Sequence, residues 1–368
     1  MQKEYLIYYG SILLAAFFAW LAQKFAKDKK GKFKLNKFFW ILSIAVLTIV
    51  IGLRKSGVGV DDWQYEQIYN RVRVHGPIVE FLQETMEPGY LILNYIVGIF
   101  TSNFQVFLFI VSLISILFYY KAIEYERKNV NLFLVVFLFG TIMYLYFFGI
   151  IRLFLASSII AYSLRYVFEK KSKKFIIFTI LATSIHYSAI FMLFLLYFST
   201  EKEEKPRKIR DIVLLIVIGM PILILVVTQL IFPMMGQRYE HYLTLSGIKL
   251  SIDQFDKIPI VILSVIFYKQ MKLLNRNARI YIVICALTTV ISIYSTMVDI
   301  GRIQWYLNFS ICILLPLIAR SMNMLEKYKY WNIFFMPIIL IYGVIFAYRI
   351  VFLQESNIYM TNYSNILF

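Results

Sequence analysis

The sequence between residues 132 and 168 reads LFLVVFLFGTIMYLYFFGIIRLFLASSIIAYSLRYVF, and its charged residues are Arg152 and Arg165 alone. One helix needs about 20 apolar residues to cross the hydrocarbon core of a bilayer. This stretch is therefore long enough for two crossings, which we predict at 132–149 and 151–168. Arg152 then lies at the start of the second crossing, at a membrane boundary, and Arg165 lies near its other end.

Apolar runs of similar length recur along most of the chain. Besides these two, the predicted spans are 5–22, 38–53, 104–120, 212–232, 280–298, 303–319 and 331–352, and shorter apolar stretches occupy 89–100, 175–199 and 258–268. The stretch 175–199 is long for one helix and short for two. The pattern predicts an all-α polytopic membrane protein, a bundle of about 11–13 transmembrane or re-entrant helices in a single integral membrane domain over residues 1–368.

The composition agrees with this fold class and excludes others. Hydrophobic residues make up 60% of the chain, charged residues 16%, and the mean hydropathy is +0.71. Soluble domains contain roughly 45–50% apolar and 25% charged residues, so a soluble globular enzyme is excluded. The net charge of +17 lies in short runs between apolar segments, which excludes a nucleic-acid partner. Cys285 and Cys312 lie inside apolar runs without metal-ligand spacing, so we predict no metal site and no disulfide.

Positive charge is concentrated in six of the loops between these runs. The six loops are 23–37, 121–131, 169–174, 201–211, 269–279 and 320–330. Together they contain 26 Lys and Arg against 9 Asp and Glu, a surplus equal to the whole net charge of +17. Since loops rich in Lys and Arg remain in the cytoplasm, we expect all six there. The first apolar run lacks the features of a signal peptide, so we expect it to remain as a helix with its N-terminus outside.

This sidedness has consequences for the rest of the chain. It favours a hairpin that turns at His186 within 175–199, because a single crossing there would move every later basic loop to the other side. The outer face then contains a long loop at 54–88 with short helices and a second long loop at 233–257. The chain has no Gly-rich phosphate motif, so we expect any chemistry to occur at the outer face without a nucleotide.

Three arginines are predicted at the outer membrane boundary. Arg54 ends one span, Arg152 begins another, and Arg302 lies at the outer end of a third. A guanidinium group presents a planar set of donors that matches a phosphate, and it stays charged. If these helices pack around one cleft, the arginines can bind a lipid-linked pyrophosphate. The alternative is that each arginine extends separately to lipid headgroups.

The outer loop 54–88 contains the first candidate base. Gly57 and Gly59 permit a tight turn, after which Asp61 would begin a short helix that runs to about Val74. Tyr65 lies four residues after Asp61 and so shares its helical face. A carboxylate at this surface could accept a proton from a sugar hydroxyl. An ordinary helix cap would explain an aspartate here equally well.

Two further candidates lie at the ends of apolar segments. Glu87 precedes Pro88 at the positive end of a predicted helix, where any carboxylate is stabilised, although glutamate is not a preferred cap. Tyr90 follows in the first turn. His186 is the one histidine within an apolar run, and polar groups inside membranes usually line a cavity or site. The alternative for His186 is a side chain satisfied by neighbouring hydroxyl groups.

Four motifs occur in the order and spacing of a known family. They are Gly52-Leu53-Arg54 with Val58-Gly59-Val60-Asp61 and Tyr65, then Glu87-Pro88-Gly89-Tyr90, then Arg152-Leu153-Phe154-Leu155-Ala156, and then Lys174-Phe175 with Ala182 and His186-Tyr187-Ser188-Ala189. Over about residues 50–200 the chain therefore resembles the EpsG family of exopolysaccharide polymerases, which are related to the Wzy O-antigen polymerases.

The resemblance implies a function and a location. Such proteins join oligosaccharide repeat units carried on undecaprenyl pyrophosphate at the outer face of the bacterial cell membrane, with a GT-C-like helical architecture. The expected partners are the undecaprenyl-pyrophosphate-linked oligosaccharide, membrane lipid and a chain-length regulator, and no cofactor is expected. Two alternatives remain, namely a flippase or transporter of lipid-linked oligosaccharides and a polysaccharide ligase with a different acceptor.

These considerations assign roles to the candidate residues. Arg152 and Arg302, with Arg54, bind pyrophosphate, and Asp61 or Glu87 accepts the proton of the acceptor hydroxyl in an inverting glycosyl transfer. His186 positions a phosphate or a sugar. Tyr65 and Tyr90 are expected to contact the sugar.

Overall fold

The computed structural model describes residues 2–29, 32–83, 86–200, 219, 255–294 and 301–351. It confirms an all-α polytopic membrane protein. Five helices in these ranges are long and apolar enough to cross a membrane: Leu6–Lys24, Phe104–Tyr125, Ile151–Phe168, Gln304–Met322 and Trp331–Arg349. The predicted span 212–232, most of the loop 233–257 and the tail 353–368 lie outside the described residues.

The first half of the chain alternates long helices with short outer elements. In order, the elements are α1 Gln2–Lys24, β1 Lys27–Lys29, β2 Lys32–Lys34, α2 Lys37–Gly52, α3 Asp62–His75, α4 Pro77–Leu82, α5 Pro88–Phe100, α6 Phe104–Tyr125 and α7 Leu132–Leu138. The strands β1 and β2 form a small antiparallel ribbon in the first basic loop. A π-helix, Phe139–Tyr144, and a short 3-10 helix, Tyr146–Phe148, continue α7.

The second half begins with a helix that is almost completely buried. Its elements are α8 Ile151–Phe168, α9 Ser172–Ile185, a 3-10 helix Tyr187–Leu195, α10 Leu196–Thr200, α11 Ile258–Ile266, α12 Tyr268–Leu274, α13 Ala278–Tyr294, a 3-10 turn Gly301–Ile303, α14 Gln304–Leu307, α15 Phe309–Met322, α16 Glu326–Lys329 and α17 Trp331–Val351. Most predicted spans in the described ranges therefore appear as helices within a few residues of the expected limits.

Local sequence explains where several helices begin. Asn36, Asn103 and Asn131 each precede a helix and accept a hydrogen bond from a backbone N–H in its first turn, with lengths of 2.9–3.1 Å. Asparagine is among the best residues for this position. Pro88 occupies the first turn of α5, where a missing N–H costs nothing. Helix α3, predicted from the turn at Gly57 and Gly59 and from Asp61, begins at Asp62 and ends at His75, one residue beyond the expected limit.

Burial separates the helices into central and peripheral ones. In α8, 89% of the residues are buried against other parts of the chain, whereas the figure for Trp331–Arg349 in α17 is 22%. Helix α8 packs between α6 and α9, and the Tyr119 hydroxyl donates to Ser157 Oγ at 2.8 Å across the α6–α8 contact. A helix that is apolar on all sides is stable when protein surrounds it. Arg152 therefore begins the helix at the centre of the bundle.

The stretch 175–199 forms the predicted hairpin. Ser172 Oγ and Ser199 Oγ lie 2.8 Å apart, and Lys170 Nζ donates to the Phe198 carbonyl at 2.6 Å, so the chain reverses direction between them. The reversal occurs at His186, which has an extended backbone after α9 ends. The 14 residues of α9 rise about 21 Å. This is less than the bilayer core of about 30 Å, so by its length the hairpin matches the predicted re-entrant type.

The basic loops that the structure describes meet at one end of the bundle. Arg127 Nε donates to the Phe33 carbonyl at 2.9 Å, which joins loop 121–131 to loop 23–37. Arg320 donates to the Lys128 carbonyl from loop 320–330. Asn275 Nδ2 donates to Glu126 Oε2 at 2.8 Å from loop 269–279. This shared end agrees with loops that lie on one side of a membrane.

Candidate functional site

At the opposite end of the bundle, Arg152 and Glu87 form a buried ion pair. Arg152 Nη1 on α8 donates to Glu87 Oε2 at the start of α5, and the two residues are 6% and 2% exposed. A buried charge is tolerated when an opposite charge and hydrogen bonds surround it. Glu87 Oε1 also accepts from the Tyr187 backbone N–H at 3.5 Å. The carboxylate thus connects α5, α8 and the tip of the re-entrant hairpin.

Two tyrosines pack against the guanidinium group of this pair. The Arg152 Cζ atom lies 5.9 Å from the Tyr65 ring centroid and 5.8 Å from that of Tyr90, within the range of a cation–π contact. The two rings are themselves in edge-to-face contact, with centroids 5.9 Å apart. Both tyrosines are buried, so their faces contact Arg152. Burial also raises the pKa of the Tyr65 hydroxyl, which stays protonated.

Asp61 lies at the edge of the same cluster and is half-buried. It precedes α3, but its side chain makes no capping hydrogen bond. The carboxylate instead lies near the charges of Arg152 and Arg302 and accepts a hydrogen bond from Tyr65. Burial raises the pKa of the Asp61 carboxyl above its ordinary value, while the two arginines oppose that rise. Helix capping therefore does not explain this aspartate.

Arg302 approaches the cluster from the second half of the chain. It lies in the 3-10 turn Gly301–Ile303, and its side chain is exposed. Its positive charge acts on Asp61, Tyr65 and Tyr306. Arg302 and Arg152 therefore both lie within electrostatic reach of Asp61, although they are far apart in sequence. The residues immediately before this turn, 295–300, lie outside the described residues.

Arg54 has a different environment. It is fully buried, and Nη2 donates to Asp62 Oδ1 at 2.7 Å and to the Phe148 carbonyl at 2.9 Å. Nη1 donates to the Ile51 carbonyl at 2.7 Å, and Nε donates to Asp62 Oδ2 at 3.2 Å. All three guanidinium nitrogens of Arg54 thus contact protein acceptors.

The partner of Arg54, Asp62, stabilises the turn before α3. Asp62 Oδ2 accepts from the Gly59 backbone N–H at 2.8 Å. A Cβ atom at Gly59 would lie 2.1 Å from the Phe148 carbonyl oxygen, so a side chain does not fit there. The Arg54–Asp62 pair therefore joins the outer turn to the end of the α7 segment, and Asp61 is the neighbouring carboxylate that faces the two other arginines.

His186 joins the cluster through two hydroxyl groups. Its Nδ1 atom lies 2.8 Å from Ser188 Oγ, and Ser188 Oγ lies 3.1 Å from the Tyr306 hydroxyl. This contact matches the alternative of a histidine with hydroxyl partners, yet it also brings His186 beside Tyr187 and Glu87. Sequence reasoning missed Ser188 and Tyr306. The spacing of four residues between Arg302 and Tyr306, one helical turn, was the available signal.

Two polar atoms of the cluster, Arg152 Nε and the Tyr90 hydroxyl oxygen, have no hydrogen-bond partner in the described ranges. Arg152 Nε is buried without a hydrogen bond there. A buried donor without a partner costs free energy, so this atom suits an acceptor supplied by a ligand. Within the same ranges no three His, Cys, Asp or Glu side chains come together as a group that could hold a metal ion.

Comparison with known proteins supplies one match. A family model described as the EpsG family matches residues 37–365, which is nearly the whole chain. The match includes Arg54, Asp61, Glu87, Arg152 and Arg302. No curated protein and no solved structure matches the chain.

Proposed function

The chain belongs to the EpsG family, and on that basis we propose that this polysaccharide polymerase joins undecaprenyl-pyrophosphate-linked repeat units at the extracytoplasmic face of the bacterial cell membrane. The observation that carries the proposal is that Asp61 lies within electrostatic reach of both Arg152 and Arg302. In the proposed reaction a hydroxyl group loses a proton, which a carboxylate near the two arginines can accept. A pyrophosphate then leaves, and its negative charge can be stabilised by the arginines. The end of the bundle opposite the basic loops suits an outward site.

Arg152 and Arg302 bind the pyrophosphate of the lipid-linked donor. Arg302 is exposed and can contact a phosphate as the substrate enters. Arg152 has its Nε donor available, while Glu87 and the two tyrosine rings fix the orientation of its guanidinium group. Negative charge grows on the pyrophosphate in the transition state, and donors already in position stabilise it. Loss of one such donor typically lowers the rate by about 10²–10³-fold.

Asp61 is the better candidate for the general base. Glu87 is buried and paired with Arg152, so its lone pairs are already engaged. Asp61 is half-buried, and burial raises its pKa toward the working pH, which makes the carboxylate a better proton acceptor. We therefore assign Asp61 as the base and Glu87 as the residue that positions Arg152.

The transfer follows from these assignments. An Asp61 carboxylate oxygen accepts the proton of the acceptor hydroxyl. As this proton leaves, the hydroxyl oxygen attacks the anomeric carbon of the donor sugar. The bond from the anomeric carbon to the pyrophosphate oxygen breaks, and its electron pair stays on the pyrophosphate, next to Arg152 and Arg302. A single displacement of this kind inverts the anomeric configuration.

The remaining candidates act through their neighbours. Arg54 with Asp62 stabilises the turn that presents Asp61, so we assign Arg54 a positioning role in place of phosphate contact. Tyr65 and Tyr90 support the Arg152 guanidinium group, and Tyr65 also donates to Asp61. His186 lies at the hairpin tip beside Glu87 and is available to position a phosphate or a sugar.

The decisive experiment is a polymerisation assay with purified protein and lipid-linked repeat units. Asp61→Asn keeps the size of the side chain but removes the base, and loss of a general base typically costs about 10²–10⁴-fold in rate. Glu66→Gln is the matched control, because Glu66 is an acidic residue on the same outer helix that contacts Ser56 instead of the arginines. Wild-type polymerisation by Asp61→Asn would refute the assignment.

The product pattern also separates the two alternatives. A polymerase yields a ladder of chain lengths, a ligase adds once to a different acceptor, and a flippase leaves single repeats unlinked. A ladder from the wild type that Asp61→Asn abolishes would support the proposal. Single addition or transport without linkage would support an alternative.

A further inference from the structure

A cavity of about 560 Å³ opens at the end of the bundle that contains the basic loops. It lies between the end of α1, the loop before α7, the end of α15 and the start of α17. Its lining residues are Trp20, Gln23, Lys24, Val130, Asn131, Leu134, Pro316, Ala319, Arg320, Asn323, Asn332 and Met336. The helical run from Asn131 to Phe148 separates this cavity from the Arg54 contact, so the cavity is distinct from the Asp61 site.

The charges at the mouth of this cavity are all positive. Lys24 and Arg320 are both exposed, and no Asp or Glu belongs to the lining. The Lys24 ammonium lies 4.6 Å from the Trp20 ring centroid, which directs it over the cavity wall. Arg320 uses Nη1 for the Lys128 carbonyl and has further donors on its planar group. Two cations without a counter-charge favour an anionic ligand.

The deeper wall is apolar. Leu134, Pro316 and Met336 line it, and α1, α15 and α17 are membrane-spanning by length and composition. A soluble anion has no apolar surface to bury against such a wall, whereas an acyl chain is stabilised by contact with it. The cations lie at the loop end of the cavity, and the apolar groups lie further along the helices. This order matches the headgroup and the acyl chain of a phospholipid that enters from the bilayer.

The polar rim adds a fixed acceptor. Asn332 Nδ2 donates to Asn323 Oδ1 at 3.0 Å, while Asn332 Oδ1 is buried without a partner among the described residues. Such an oxygen suits a hydroxyl or ammonium donor from a ligand headgroup.

Gln23 keeps this rim in place. Its Nε2 donates to the Arg127 and Val130 carbonyls at 2.9 and 2.8 Å, and its Oε1 accepts from the Leu132 N–H at 2.9 Å. Because these bonds join the end of α1 to the loop before α7, the cavity exists before any ligand enters.

We propose that this cavity binds the phosphodiester headgroup of an anionic glycerophospholipid, with the phosphate between Lys24 and Arg320 and one acyl chain along Leu134, Pro316 and Met336. Basic pockets between membrane helices on the cytoplasmic side are suited to anionic headgroups. The lipid then fills the space between α1 and α17, the helix with the least protein around it. The inference does not depend on the reaction at Asp61.

Native mass spectrometry of the full-length protein released from mixed phosphatidylglycerol and phosphatidylcholine vesicles tests the site. The wild type should retain one phosphatidylglycerol. Lys24→Gln with Arg320→Gln should reduce retention by at least about tenfold, since each surface charge contributes roughly a factor of five. The control Lys269→Gln with Lys272→Gln removes two exposed charges from another basic loop and should bind like the wild type. Unchanged retention in the first variant, or equal loss in the control, would overturn the proposal.

A second variant and a second ligand complete the test. Met336→Trp keeps both charges but narrows the apolar part, and it should also lose the retained lipid. Thermal unfolding in neutral detergent then separates sources of the phosphodiester. Phosphatidylglycerol should raise the Tm of the wild type, and soluble glycerophosphoglycerol should not. An equal rise with the soluble compound, or lipid retention by Met336→Trp, would contradict a bilayer lipid in this cavity.

Discussion

Two buried pairs of arginine and carboxylate lie near the end of the bundle opposite the basic loops, and they serve different purposes. In the Arg54–Asp62 pair, all three guanidinium nitrogens donate to protein acceptors. In the Arg152–Glu87 pair, Nε has no partner in the described part of the chain, and Asp61 and Arg302 lie within electrostatic reach. The comparison teaches that burial of an arginine does not identify a substrate site. Available donors and a second converging charge do.

Replacement of each whole pair by apolar side chains should separate the two roles most strongly. Removal of both partners of a buried pair is often neutral for stability. Arg152→Met with Glu87→Leu should therefore fold but polymerise about 10²–10³-fold more slowly. Arg54→Met with Asp62→Leu should keep its KM for the lipid-linked donor, because that pair contacts no substrate. Initial rates and size-exclusion profiles measure both variants, and equal losses of rate and affinity would contradict the distinction.

A glycine in the Arg54 region should show that this region is structural. Gly59→Ala would introduce a Cβ atom 2.1 Å from the Phe148 carbonyl oxygen, so the turn must shift. We expect a loss of about 1–3 kcal/mol in the free energy of unfolding, measured as a lower Tm. Gly10→Ala is the control, because a Cβ there has nothing within 4 Å. An unchanged Tm for Gly59→Ala would mean that the turn is loosely packed.

The pH dependence of the reaction should sharpen the role of Arg302. Asp61 acts as a base only when ionised, so activity falls as the pH drops through its pKa. Burial raises that pKa and Arg302 lowers it, so Arg302→Gln should raise it further and move the acid limb of the rate profile to higher pH. Arg73→Gln, a change in the last turn of α3, should leave the limb in place. If the acid limb of the Arg302→Gln profile stays in place or moves to lower pH, the charge of Arg302 does not act on Asp61.

The smallest expected effect lies at the hairpin tip. Ser188→Ala removes the contacts with His186 and Tyr306 and should cost about 1 kcal/mol in stability. The rate should fall by at most about tenfold, since His186 would lose one constraint on its orientation. Ser172→Ala removes a similar hydroxyl contact at the other end of the hairpin. It should lower the Tm without a change in rate, and a matching loss of rate would argue against a role for the tip.

Sequence reasoning predicted the architecture well, because each signal was local. Apolar length predicted the helices, and the loop charges predicted the reversal at His186. The π-helix after α7 was not predicted, since it depends on how that segment packs against α1 and α17. The stretches around 212–232 and 233–257 lie outside the described residues, so those predictions stand as predictions.

The candidate site was predicted less completely. Asp61, Arg152, Glu87 and Arg302 were named from their places at segment ends, and the structure brings them together. Asp62 was ranked below Asp61 without knowledge that it pairs with Arg54. Tyr306 and Ser188 were not assigned to the site, although Ser188 belongs to the His186 motif and Tyr306 lies one helical turn after Arg302. Their roles arise from contacts between segments far apart in the chain.

Membrane insertion and the predicted sidedness follow from the sequence, because the free energy of transfer to lipid and the charge of each loop belong to single segments. The sequence does not say which arginine donates to a protein acceptor and which keeps a donor without a partner. This depends on the distances between α2, α5, α8 and the 301–303 turn. Those distances result from the packing of helices whose facing residues are mostly apolar. No single segment determines these distances, so the contacts of each arginine are decided by the tertiary structure.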